Sequence, residues 1–127
     1  MARQILSPDT VHKPTTYYSH ATVVGNVVYL AGQAPHDING AVWDPSDPVG
    51  QIHHVFENLA RVLDAAGANF SDIVRLTVLL RRSEHFSLVW DVAQAFLGGH
   101  RPAVTAAVVD GLADQDYLLE IDAIAVK

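Results

Sequence analysis

A chain of 127 residues, half of them apolar, can bury one hydrophobic core without external staples, and a single domain over residues 1–127 is the expectation. Fourteen acidic against eight basic side chains give a net charge of −6, which repels a phosphate backbone and argues against a nucleic-acid partner. The absence of cysteine excludes disulfides, thiolate metal sites and a thiol nucleophile, and leaves nothing that marks an oxidising compartment.

The first residues, Met1 to Pro8, hold no apolar run of signal-peptide length, and no segment approaches the roughly 20 apolar residues that span a bilayer. A cytoplasmic protein with no membrane partner is expected. Ser19 to Val24 and Asn26 to Ala31 are β-rich runs separated at Gly25-Asn26, residues that tolerate the positive φ of a tight hairpin. The turn-rich stretch Pro35 to Pro48 is too short for a linker. Ser46 or Asp47 then caps a helix with Pro48 at its first position. Its apolar stripe is Val49, Ile52, Val55, Phe56, Leu59, Val62, Leu63 and Ala66, and Gly67 supplies a left-handed stop.

Asp72 to Arg82 alternates, with Val74, Leu76, Val78 and Leu80 on one face and Arg75, Thr77, Leu79 and Arg81 on the other. The doublet Arg81-Arg82 reads as a solvated strand end. Ser83 is a candidate cap for a second helix carrying Phe86, Val89, Trp90, Ala93, Phe96 and Leu97, which Gly98-Gly99 ends. Ala103 to Val109 and Leu118 to Val126 close the chain as strands, the second with Leu119, Ile121, Ala123 and Ala125 opposite Glu120 and Asp122. The order strand, strand, helix, strand, helix, strand, strand predicts an α+β fold: a single mixed β-sheet with two helices on one face. The bare face of such a sheet is most simply covered by other copies, which predicts a symmetric oligomer.

Six strings stand in register with a known family. They are Tyr18-Ser19-His20-Ala21, Val24 to Pro35, Glu57-Asn58-Leu59 with Ala65-Ala66-Gly67-Ala68, Asp72 to Leu80, His100-Arg101-Pro102-Ala103, and Leu119 to Val126. Together they resemble the RidA (reactive intermediate deaminase), or YjgF-like, family from about residue 17 onward. The resemblance implies a chorismate mutase-like fold and a homotrimer with small-molecule clefts between subunits. In imine-hydrolysing members it implies a cleft built from a Tyr of the first motif, backbone around an S-G-Q turn, an Arg in "RPARS" and a Glu near the last strand. That Arg binds the substrate carboxylate through its planar fork. Here the string is Arg101-Pro102-Ala103-Val104-Thr105-Ala106, so Val104 stands where the arginine would. Arg101 lies three residues away, an odd offset that on a strand would place it on the opposite face.

By this resemblance the catalytic candidates are Glu120, Tyr18 and His20, and the ligand-binding candidates are Gly32, Trp90, Val104, Thr105 and Ala106. Each has a structural alternative. Glu120 is a general base or an intersubunit ion-pair partner, and Asp122 beside it would raise its pKa. Tyr18 packs on a planar ligand or is an ordinary strand aromatic, with Tyr17 a rival. Trp90 stands where the family often has Asn; it either lines the cleft, favouring a larger, flatter or less acidic ligand, or fills core beside Val89 and Ala93. Thr105 offers a hydroxyl or is only β-branched strand. His20 replaces the family's usual Gln and is the histidine to consider for proton transfer. The histidine spacing completes no metal site, since His53 and His54 diverge by about 100° on a helix. The expectation is an enzyme without metal or cofactor, acting on an imine, enamine or related unsaturated metabolite and differing from a standard 2-imino acid deaminase. The alternative is a non-catalytic ligand-binding or regulatory trimer, and the ribonuclease activity attributed to some relatives ranks last on charge.

Overall fold

The structure is a computed structural model that describes residues 2–14 and 17–127. One six-stranded sheet carries strands β1 (Arg3–Leu6), β2 (Ala21–Val24), β3 (Val27–Gln33), β4 (Ile73–Leu80), β5 (Ala103–Val108) and β6 (Leu119–Val126). Two helices, α1 (Pro48–Ala65) and α2 (Phe86–Leu97), pack on it. The spatial order is β1-β2-β3-β6-β4-β5, and every neighbouring pair is antiparallel except β4 with β5, which α2 joins as a crossover. This is the mixed sheet that the periodicity predicts, with one strand more. β1 escaped the sequence reading because its side chains lie mostly exposed, so its place rests on ladder bonds to β2 and leaves no alternating pattern.

Local chemistry explains where the elements begin and end. The β2–β3 hairpin pairs Val24 with Val27 across Gly25-Asn26, and only Gly25, at φ 60°, uses the left-handed region. Of the two candidate caps for α1, Asp47 is the one used: its Oδ1 accepts from Gly50 N at 3.0 Å, while Trp43 Nε1 donates to Oδ2 at 3.0 Å. Ser46 is held instead in a turn on Asp44. Ser83 does not cap α2. It opens a short 3-10 turn over Ser83–His85, and α2 starts after His85 with no side-chain cap.

The core lies between the helices and the inner sheet face. Ile52, Val55, Phe56, Leu59, Val62 and Leu63 of α1 meet Leu76, Val78 and Leu80 of β4 and Leu119, Ile121, Ala123 and Ala125 of β6. Each such aliphatic or aromatic side chain removed from water contributes about 1.5–3 kcal/mol. Val92 joins Val89 and Ala93 in the buried part of α2, whereas Trp90, Phe96 and Leu97 are only partly covered. On the opposite face, Arg75, Thr77 and Leu79 of β4, Glu120, Asp122 and Ile124 of β6 and Tyr29 of β3 are uncovered or half-covered within one chain. Among the described residues no helix is long and apolar enough to cross a membrane.

Two amides interrupt the apolar stripe of α1 and are themselves buried. Gln51 Nε2 donates to Trp43 O and Asp116 O, both at 2.8 Å, and its Oε1 accepts from Leu118 N at 2.9 Å. Asn58 Nδ2 donates to Ala34 O at 3.1 Å and His36 O at 2.9 Å, and its Oδ1 accepts from Arg61 Nη1. Both bond backbone groups of loops, all part-buried except Ala34 O, which also accepts from His36 N. Truncating Asn58→Ala strands His36 O and takes one of two donors from Ala34 O, and is expected to cost about 1–3 kcal/mol in urea unfolding. Asp47→Ala, the loss of one exposed cap, should cost about 1 kcal/mol.

Candidate functional site

The sheet register sorts the predicted site residues into two groups. On β6, Glu120 and Asp122 share the face opposite the core, two residues apart. Glu120 lies against the backbone of β3 at Gly32, so closely that a Cβ there would collide with its carboxylate oxygen. A side chain at 32 would therefore push the Glu120 carboxylate out of its place, at a point where β3 shifts register against β6 between Leu30 and Gln33. Burial, and then the charge of Asp122, hold the Glu120 carboxyl above the ordinary carboxylate range. A half-buried carboxylate whose proton affinity is raised is a stronger base than a solvated one, which suits it to take a proton from water.

Tyr18 and His20 approach each other with ring centroids 5.9 Å apart. His20 is 1 % exposed and both of its ring nitrogens are engaged. Its Nε2–H donates to His12 O at 2.7 Å, and Nδ1 accepts from Gln33 Nε2 at 3.2 Å. That pattern fixes one neutral tautomer and makes His20 a strut between the N-terminal segment and β3. Gln33 is fully buried, and its Oε1 has no hydrogen-bond partner among the described residues.

The second group lies at the other edge of the sheet. Val104 pairs with Leu76, so its side chain takes the helix-facing side of β5. There it lines an open groove of about 610 Å³ with Trp90, Ala93, Leu97, Arg101 and Pro102. Trp90 both packs against the core and forms a wall of this groove, so the two alternatives for it are not exclusive. Arg101 corrects the expectation from strand alternation. β5 begins only at Ala103, the odd-offset rule does not reach across Pro102, and Arg101 shares the groove with Val104. Arg101 has no ion-pair partner among the described residues. Thr105 takes the opposite face, where Arg75 Nη2 donates to its Oγ1 at 2.5 Å, and Ala106 follows on the Val104 side, paired with Val78. Arg81 donates to Gln115 O and Arg82 pairs with Glu84. Val104 and Glu120 sit on opposite faces, two strands apart, roughly 10 Å by strand spacing alone. One chain does not bring the two groups together.

Three further titratable side chains adjoin the first group and were not singled out in the sequence. His12, His36 and Tyr117 converge there from three separate segments, His36 and Tyr117 lying 81 residues apart, a separation that periodicity does not register. Among the described residues no three His, Asp or Glu side chains gather to hold a metal ion.

Residues 10–127 match the protein family described as endoribonuclease L-PSP. A RutC family protein of Pyrococcus abyssi is 35% identical over 100% of this chain and 99% of its own length. The 2-iminobutanoate/2-iminopropanoate deaminase of Rattus norvegicus is 30% identical over 98% of this chain and 90% of its own. The crystal structure of RidA from an Antarctic Psychrobacter superposes with a TM-score of 0.91 at 30% identity, covering 98% of this chain and 99% of that one.

Because burial and Asp122 hold the native Glu120 carboxyl protonated to higher pH than in the unfolded chain, stability is lost as pH rises from the unfolded value through the native one. Glu120→Gln is therefore expected to unfold at a higher temperature than wild type at pH 7.5. In thermal scans the gap should close as pH falls below the ordinary carboxylate range.

Proposed function

The chain belongs to the endoribonuclease L-PSP family, the RidA-type family its strings resemble, and on that premise we propose that it is an enzyme acting on an imine, enamine or related unsaturated small molecule. The reaction needs water and proton transfers and no cofactor. The observation that carries the reading is Glu120, a carboxylate of raised proton affinity packed on glycine backbone. In hydrolysis of a C=N bond, water attacks the carbon as Glu120 takes its proton. The nitrogen is protonated, and the carbinolamine collapses to a carbonyl and ammonia or an amine.

The two residue groups call for a second copy of the chain. A homotrimer would cover the open face that carries Tyr29, Leu79 and Ile124, and would set the Trp90 and Val104 groove of one subunit against Glu120 and Gly32 of the next. With valine at position 104, the groove has no cation at its inner end; its guanidinium is Arg101, in a more exposed position. A substrate that fits is flat enough to lie on Trp90, with any carboxylate farther from the reacting carbon than in a small 2-imino acid. Its locale is expected to be the cytoplasm. The ribonuclease reading gains nothing from the arginines, since Arg81 is bonded to a loop carbonyl and Arg82 to Glu84.

A panel of freshly generated imines and enamines, with and without carboxylates, tests this against wild type, Glu120→Gln and Arg101→Met. Turnover should favour flat or long substrates over 2-iminopropionate and fall at least 100-fold in Glu120→Gln. Arg101→Met should raise KM about tenfold for carboxylate-bearing substrates alone. Binding without turnover across the panel would make the chain a ligand-binding trimer, and a monomer in sedimentation would remove the intersubunit cleft.

A further inference from the structure

Four ring side chains form a continuous line, with its Tyr117 end in electrostatic reach of Glu120, that the reading above does not use. His12 Nε2 lies 3.2 Å from Tyr18 Oη, His12 Nδ1 lies 3.3 Å from His36 Nδ1, and His36 Nε2 lies 2.5 Å from Tyr117 Oη. A neutral imidazole has one N–H and one lone pair, so the line can be satisfied in two ways. In one, Tyr117 donates to His36 Nε2, His36 Nδ1–H donates to His12 Nδ1, and His12 Nε2–H donates to Tyr18 Oη. In the other, every bond runs backwards. Moving one proton across each contact, with one taken up at Tyr117 Oη and one released from Tyr18 Oη, converts the first arrangement into the second.

The surroundings hold the rings in place. His20, buried between His12 and Gln33, bonds His12 O; Asn58 bonds His36 O; and Gln51 bonds the backbone on both sides of Tyr117, at Asp116 O and Leu118 N. A rotated ring would break the line, and each of these anchors opposes rotation of the segment that carries one. The two ends differ in access: Tyr18 is 37 % exposed and Tyr117 is 8 % exposed.

We propose that Tyr18, His12, His36 and Tyr117 form a proton relay for the acid–base step at Glu120, in which His12 and His36 are positioning residues acting through the two tyrosines. This rests on the reading of the chain as an imine- or enamine-processing enzyme. A proton accepted at one tyrosine oxygen releases a different proton from the other. Glu120 takes a proton from the attacking water and passes it on to Tyr117, Tyr18 releases a different proton to the nitrogen, and no net proton or electron is consumed. Collapse of the carbinolamine again carries a proton from oxygen to nitrogen, so the line is first reset by a proton passing the other way, taken up from water at Tyr18 and released to water at Tyr117.

The relay requires both imidazoles to be neutral. Burial, then His36 and His20, lower His12 to about 4. Burial also lowers His36, against the raising pull of Asp114 and Asp37 and with the help of His20. Tyr117 is pushed up to about 12 by burial and by Asp114, Glu120 and Tyr18, which keeps its proton available. Protonating either ring would make it a donor on both of its sides, so the bonds would no longer run in one direction along the line.

The direct test is long-range proton–nitrogen NMR of the two imidazoles in the free protein at pH 7.5, read without any substrate. Wild type should show neutral rings with averaged tautomers. Tyr117→Phe removes one terminus and should leave His36 mainly Nδ1–H and His12 mainly Nε2–H, because a stranded buried N–H costs more than a stranded lone pair. A fixed tautomer on both wild-type rings, or a charged ring, overturns the relay whether or not the protein turns anything over. With a substrate that wild type processes, Tyr117→Phe and His36→Phe should each lower kcat about 10- to 100-fold with KM little changed. The double variant should fall no further, and the acid limb of the pH profile should shift. Unchanged kcat and pH profile in both folded variants would overturn its role in catalysis, while loss of wild-type turnover across the whole panel would count against the enzyme reading alone.

Discussion

The placement of the candidate site depends on two buried amides on α1. A helix facing a sheet ordinarily presents only apolar side chains, and Gln51 and Asn58 break that rule within two turns of each other. Both reach across to backbone groups of irregular segments: the stretch after β3 for Asn58, and the stretch before β6, together with Trp43, for Gln51. Loops on protein surfaces usually owe their order to their own turns. Here the order is imposed from the core, so His36 and Tyr117 inherit the rigidity of α1. An amide suits the task because it donates twice and accepts without a charge to desolvate.

The same economy governs the carboxylates. Glu120 and Asp122 stand on one sheet face with a like charge two residues away and little water over the first of them. A fold selected for stability alone would put a neutral residue at 120. The glycine at 32 then has a definite reason: it clears the room into which that carboxylate folds. Conformational freedom is not what the position requires.

Much of the scaffold was legible because burial imposes a period. The alternation in β6 and in β4 from Leu76 onward, with the stripe on α1, gave the sheet, its inner face and the helix that covers it. Val49 and Val74, placed on the buried faces by the same count, are exposed, Val74 because a register shift between Ile73 and Arg75 puts Ile73 in the core instead. β1 was not legible, since an edge strand with exposed side chains carries no such period, and Ser83 misled because its hydroxyl suits a cap that the chain instead replaces with a 3-10 turn. At the site, Glu120, Tyr18 and Gly32 could be named from family strings, yet the position of Arg101 could not be read by counting along a strand that had not begun. His12, His36 and Tyr117 were invisible for a different reason. Each is unremarkable in its own segment, and their meeting is a property of the topology.

The strand order carries a consequence for how the chain comes together. β6 is the last strand in sequence but lies between β3 and β4 in space, so it alone joins the β1-β2-β3 meander to the β4-α2-β5 crossover. Synthesis from the N-terminus delivers both of those pieces before their common neighbour exists. Until then each exposes an unpaired edge, at β3 and at β4, with an apolar face beside it. A nascent chain of this topology must keep two sticky halves apart on the ribosome and close its sheet in a single late event, which makes the time before β6 emerges the period of greatest exposure to aggregation.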